Sequence, residues 1–235
     1  MLPLRDNVPT RTFPIVTVAI IVANVIVWLW EVGGTSVDHD VLRYGYYPCS
    51  VDGPCVAPAP AHHLPYYEGA FTSMFMHGSW LHIGGNMLFL WIFGNNVEDA
   101  LGRVRYFAWY IAAGLAATAS QTFITLHFGN AHDASIPNIG ASGAIAGVLG
   151  AYFLLLPRAS VLTAFFLGIF FFFREIPAIL FLGVWFLFQA WQGGFSLVQP
   201  EAGGGIAFFA HIGGFAFGFL TVQLVKKRPP LRPAY

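Results

Sequence analysis

Six long apolar runs set the terms on which this chain can fold. They cover about residues 14–31, 80–97, 104–126, 140–156, 176–192 and 205–225, and few charges interrupt them. As helices, runs of roughly 17–23 residues cross about 30 Å of hydrocarbon. Only 9% of the 235 residues are charged, where a soluble domain carries about 25%. Most of the surface therefore cannot face water. The expected class is an all-α membrane protein of six transmembrane helices, forming one domain over residues 1–235. A short N-terminal segment (1–13) precedes the first run, and the proline-bearing tail (about 228–235) is expected to be a disordered end. Val161–Phe173 is also apolar but too short to span, so a buried or interfacial connector is expected there.

Basic residues orient the spans, because Lys and Arg accumulate on the cytoplasmic side. With the N- and C-termini cytoplasmic, ten of the 11 Lys and Arg fall on inner segments, and only Arg43 lies outside. The long outer segment Val32–Ser79 carries Tyr44, Tyr46, Tyr47, Tyr66 and Tyr67, rings suited to the headgroup zone. Cys49 and Cys55 match no zinc spacing; a loop disulfide and two free thiols are both compatible with them. Zero formal net charge points to no nucleic-acid partner. No metal site or cofactor is expected, and the sequence does not fix an oligomeric state.

The informative residues are polar ones inside these runs, since a polar group in lipid must be paired, cavity-lining or functional. His82 and Asn86 lie in the first turns of the second run, Ser142 in the first turn of the fourth, and His211 about two turns into the sixth. These three runs all point from outside to inside. All four side chains therefore lie within roughly 10 Å of the outer boundary. His82 and Asn86, four residues apart, share a helix face. Gly143, Gly147 and Gly150 form a small-residue stripe beside Ser142, and Gly214 and Gly218 lie on the His211 face. Such stripes let helix backbones approach closely in a membrane. Singly, each residue has an ordinary reading: a serine among glycines usually packs, a lone histidine is usually a structural donor, and His82 with Asn86 could pin a loop. Their convergence favours function. His39, His62, His63, His127 and His132 are assigned no role.

Three motifs in order, on alternate runs, resemble those of rhomboids, the intramembrane serine protease family. They are His77-Gly-Ser-Trp-Leu-His82-Ile-Gly-Gly-Asn86 with the following Gly94-Asn-Asn-Val-Glu98-Asp99-Ala-Leu-Gly102, then Gly140-Ala141-Ser142-Gly143, then Ala210-His211-Ile212-Gly213-Gly214. The likeness extends from roughly Phe71 to Val225. It implies a six-helix rhomboid-like bundle with Ser142 as nucleophile and His211 as general base and acid. His82, Asn86 and the Ser142 backbone N–H would form an oxyanion hole, with Gly140, Gly143, Gly147, Gly214 and Gly218 as packing residues. Two positions depart from the family pattern. Glu68-Gly69 stands where many members have a Trp-Arg pair, and Ala146 stands where many have a tyrosine beneath the histidine ring.

A serine hydroxyl needs a base to take its proton as it attacks. No acidic residue is read into the outer half of any run, so packing and hydrogen bonds rather than a carboxylate must orient the ring. Hydrolysis needs water, for which Gly84, Gly85 and Gly203–Gly205 leave room. The expected substrates are membrane-spanning proteins presented from the bilayer, cleaved near the outer face of a membrane, expected to be the cell membrane. The alternative is a non-catalytic rhomboid-like protein that binds membrane helices. A third class, a small transporter or haem carrier using intramembrane histidines, would show itself by a Soret band.

Overall fold

A computed structural model describes residues 2–34, 36–168, 170–198 and 207–233. In chain order the elements are strand β1 (Leu2–Asp6), helix α1 (Ile15–Gly33), short helices α2 (Val37–Tyr44), α3 (Cys49–Asp52) and α4 (Tyr66–Thr72), then α5 (Trp80–Leu101), α6 (Arg103–Phe128), α7 (Ala131–Ala134) and α8 (Ser142–Leu155). Strands β2 (Ser160–Leu167) and β3 (Phe170–Pro177) follow, then helices α9 (Ala178–Val198) and α10 (Phe208–Val225). The protein is mostly helical. By length and composition α1, α9 and α10 can each cross a membrane, and α8 is a shorter apolar helix.

α8 forms the centre, with every residue from Gly143 to Tyr152 buried among α5, α6, α9 and α10. Glycine makes this possible. A Cβ on Gly214 would run into the Gly143 carbonyl oxygen, and one on Gly218 into that of Gly147. Backbone therefore rests on backbone between α8 and α10, and dispersion contacts replace the hydrophobic drive that lipid removes. Gly218→Val is expected to cost more than the about 1–3 kcal/mol usual for overpacking, because the obstacle is a carbonyl rather than a movable side chain. An unchanged thermal midpoint in detergent would contradict this.

The all-α expectation is corrected by a three-stranded antiparallel sheet of order β1-β2-β3. The run read as a connector instead turns back on itself at Gly168, whose φ of +61° suits glycine. Its phenylalanines, with Val161, Leu162 and Thr163, suit a strand, and an apolar run this short cannot be told from a helix by periodicity. Phe165 and Phe172 stack across the hairpin at 5.1 Å. Phe166, Phe170, Phe171 and Phe173 are more than half exposed, while Val161, Thr163 and Ala164 are buried, so only one face of the hairpin meets the core. The third strand comes from the N-terminal segment.

Carboxylates at this end tie the chain together. Glu98 accepts hydrogen bonds from the Val16 and Thr17 backbone N–H groups (3.1 and 2.8 Å) and the Thr17 hydroxyl (2.8 Å). It thereby satisfies donors that the first turn of α1 leaves open. Asp99 pairs with Arg11 at 2.7 Å and Arg228 at 2.9 Å. The expectation of a disordered tail from residue 228 is thus corrected at its start: Arg228 also donates to the Asp99 carbonyl oxygen, and its backbone N–H to that of Ala100.

Asp6 accepts from the Tyr152 hydroxyl at 2.6 Å and the Asn96 amide at 2.7 Å, yet burial pushes its carboxyl from 3.8 up to about 6. The folded protein then holds this proton more tightly than the unfolded chain. The stabilising contribution is complete at low pH and is lost as pH rises from about 4 to about 6. Relative to Asp6→Asn, the wild type should lose stability over that interval, on the order of 2 kcal/mol by denaturant unfolding. Parallel pH curves for the two proteins would contradict this.

The long segment between α1 and α5 is braced at several points. Cys49 and Cys55 form a disulfide. Tyr46 and Asn138 exchange backbone hydrogen bonds at 3.1 and 2.7 Å, and the Tyr46 hydroxyl bonds that of Thr122 at 2.8 Å. Glu31 corrects the reading that no acidic residue lies in the outer half of a run. It is fully buried in the last turns of α1, and its carboxylate accepts from the His77 backbone N–H at 3.3 Å.

Candidate active site

α8 starts at Ser142 because the chain turns at Gly140, in a conformation (φ +114°) that side chains disfavour. A Cβ there would also lie 2.7 Å from His82 Nε2. The Gly140 N–H donates to the Ser73 carbonyl oxygen at 2.8 Å. This segment is therefore pinned from the α4–α5 side, and the Tyr46–Asn138 pairing holds it two residues upstream. At the first residue of α8, Ser142 has a backbone N–H that no earlier turn can use.

His211 comes from α10. The donors that open this helix are satisfied by a side chain from α6: Gln121 Oε1 accepts from the Phe209 and Ala210 N–H groups at 3.1 and 3.2 Å. With α10 so placed and its glycines against α8, His211 Nε2 stands 2.8 Å from Ser142 Oγ. The other ring nitrogen, Nδ1, lies 2.7 Å from Gln189 Oε1 on α9. Trp185, one turn before Gln189, covers the ring at a centroid distance of 5.9 Å. Support for the imidazole thus comes from α9, while position 146 on α8 supplies only a buried alanine.

On α5, Ser79 caps the helix by accepting from the His82 N–H at 3.2 Å. The Gly78 N–H donates to His82 Nδ1 at 3.4 Å, which assigns the ring proton to Nε2, the atom facing Gly140. Asn86 is buried; its amide donates to His77 Nε2 at 3.0 Å, and its Nδ2 lies 3.7 Å from the Gly140 Cβ position. His82 and Asn86 therefore border the turn that leads into Ser142. A cavity of about 30 Å³ adjoins Ser142, lined by Ser73, Thr118, Gln121 and Asn138 among others. It has the volume and polar partners to hold a water. Gly84 and Gly85 face open space, and Gly203–Gly205 lie outside the described residues.

Sequence reasoning passed over Gln121, Gln189 and Trp185. The signal was present for the two amides, since each interrupts an apolar run that no loop chemistry explains.

A bundle of apolar helices that sets a half-buried hydroxyl against an imidazole is a membrane-embedded protein with the groups for base-assisted nucleophilic chemistry. The chain belongs to the rhomboid family: its residues 66–228 match the Rhomboid domain. It is similar to Rhomboid protein 1, mitochondrial, of Saccharomyces cerevisiae, with 32% identity over 66% of this chain and 41% of that protein. It is also similar to Presenilin-associated rhomboid-like protein, mitochondrial, of Homo sapiens, with 30% identity over 90% of this chain and 50% of that one. Rhomboid-like protein 11, chloroplastic, of Arabidopsis thaliana is 26% identical over 72% of this chain and 56% of its own. The chain spans about half the length of the curated relatives it matches. It is an integral membrane protein.

Proposed function

We propose that this rhomboid is an intramembrane serine endopeptidase acting on membrane-spanning proteins. One observation carries the reading: Ser142 Oγ and His211 Nε2 are 2.8 Å apart within a bundle of apolar helices. In the first step Ser142 Oγ attacks a peptide carbonyl carbon while its proton passes to His211 Nε2. The C–N bond then breaks, and His211 returns that proton to the departing amine. In the second step water attacks the acyl-serine ester, with His211 again taking and returning the proton. The His82 ring N–H, the second N–H of the Asn86 amide and the Ser142 backbone N–H are the donors for the oxyanion.

Membrane placement belongs to the same proposal. The domain occupies the whole chain; α1, α5, α6, α8, α9 and α10 are the six spans, with both termini cytoplasmic and Ser142 near the outer face. The exposed phenylalanines of the β2–β3 hairpin then meet the inner leaflet, where rings are half solvated. The relatives are by name mitochondrial and chloroplastic proteins and lend no support to a cell membrane. A helical substrate hides its carbonyls in i→i−4 bonds, so glycine or proline near the cleavage point should favour attack.

A fluorophosphonate probe tests the reading. Covalent labelling that disappears in Ser142→Ala is expected. Labelling that persists in that variant, or none in the wild type, would favour the non-catalytic helix binder.

A further inference from the structure

The chemistry proposed above works only if His211 presents a bare lone pair to Ser142. A neutral imidazole carries its proton on either nitrogen, and the wrong tautomer aims an N–H at the hydroxyl and takes nothing. Nothing on α8 or α10 makes that choice.

We propose that Gln189 is the positioning residue that sets the tautomer and orientation of His211, a neutral third group that holds the Nδ1 proton in place without taking it. An amide oxygen only accepts. At 2.7 Å from Gln189 Oε1, His211 Nδ1 is the donor; Nε2 is then unprotonated, 2.8 Å from Ser142 Oγ, and the serine donates. Gln189 is itself buried, so water cannot substitute for it cheaply. Trp185 sits four residues earlier on the same face of α9, where it limits rotation of the ring. One helix face thus supplies both a wall and an acceptor.

An amide rather than a carboxylate suits the location. A carboxylate at this depth would carry a desolvation cost that an amide avoids. The cost is weaker stabilisation of the imidazolium formed during attack. The proposal rests on the protease reading, and its test separates the two.

Gln189→Met keeps the length of the side chain and removes the acceptor; Gln189→Glu keeps an acceptor oxygen. Cleavage of a labelled membrane-spanning substrate is followed in liposomes, with thermal midpoints measured alongside. Gln189→Met is expected to lower kcat by about 10²-fold, the lower end of general acid–base assistance, with KM within about twofold. Gln189→Glu is expected to recover most of that loss. Unchanged kcat in Gln189→Met would overturn the proposal while leaving the dyad standing. So would equal losses in both variants that track their thermal midpoints, because these would make Gln189 a packing residue. Wild-type protein without Ser142-dependent labelling would sink the protease reading, and this proposal with it.

Discussion

Cleavage of a membrane-spanning substrate is expected to fall by at least about 10⁴-fold in Ser142→Ala and, separately, in His211→Ala. The two groups are separated by 69 residues in sequence and joined by one 2.8 Å contact, so neither has a purpose without the other. Without the hydroxyl there is no covalent intermediate. Without the imidazole the hydroxyl keeps its proton and attacks poorly. The double variant should therefore be no worse than either single one, because groups acting as a unit are not additive. Ser142 is small and half-buried, and its replacement should leave the thermal midpoint nearly unchanged. Substantial activity in either variant would refute the dyad.

Asn86→Ala is expected to reduce kcat by about 10²–10³-fold, the loss typical of one oxyanion donor. The reaction builds charge on the substrate oxygen, and a fixed N–H in a water-poor site stabilises that charge without reorganising. Asn86 has a second partner: its amide donates to His77 Nε2 at 3.0 Å, and losing that bond leaves a buried acceptor unpaired. The variant should thus also lose some stability. The kinetic loss must appear in folded protein, as slower fluorophosphonate labelling below the unfolding transition. Full labelling speed there would remove Asn86 from the oxyanion site. His82→Ala is the companion measurement and should fall in the same direction.

Parts of this protein are legible in its sequence alone. The apolar runs fold as helices α1, α5, α6, α8, α9 and α10 with ends displaced by a few residues, and of these α1, α9 and α10 are long and apolar enough to cross a membrane. The glycines at 143, 147, 214 and 218 are legible as a stripe, and their carbonyl contacts follow from having no side chain. The β2–β3 hairpin was not legible. Its apolar run suits strand or buried segment alike, and its partner strand β1 lies more than 150 residues away. Glu31 was missed because a carboxylate near a helix end looks solvated until a loop folds over it. Cys49 and Cys55 left pairing open, and only the bent path of the loop brings their Cα atoms to 5.2 Å.

The sequence by itself determined the membrane class, the long helices and the small set of polar side chains that demand explanation inside them. These depend on local quantities, namely hydrophobic length, charge and helical spacing, that each segment carries alone. Only the tertiary structure decided that Ser142 meets His211 and that Gln189, not a residue of α8, stands behind the ring. A hydrogen bond between distant helices depends on rotations and offsets of a fraction of an ångström, and these are set by which carbonyls the glycines of α8 and α10 touch.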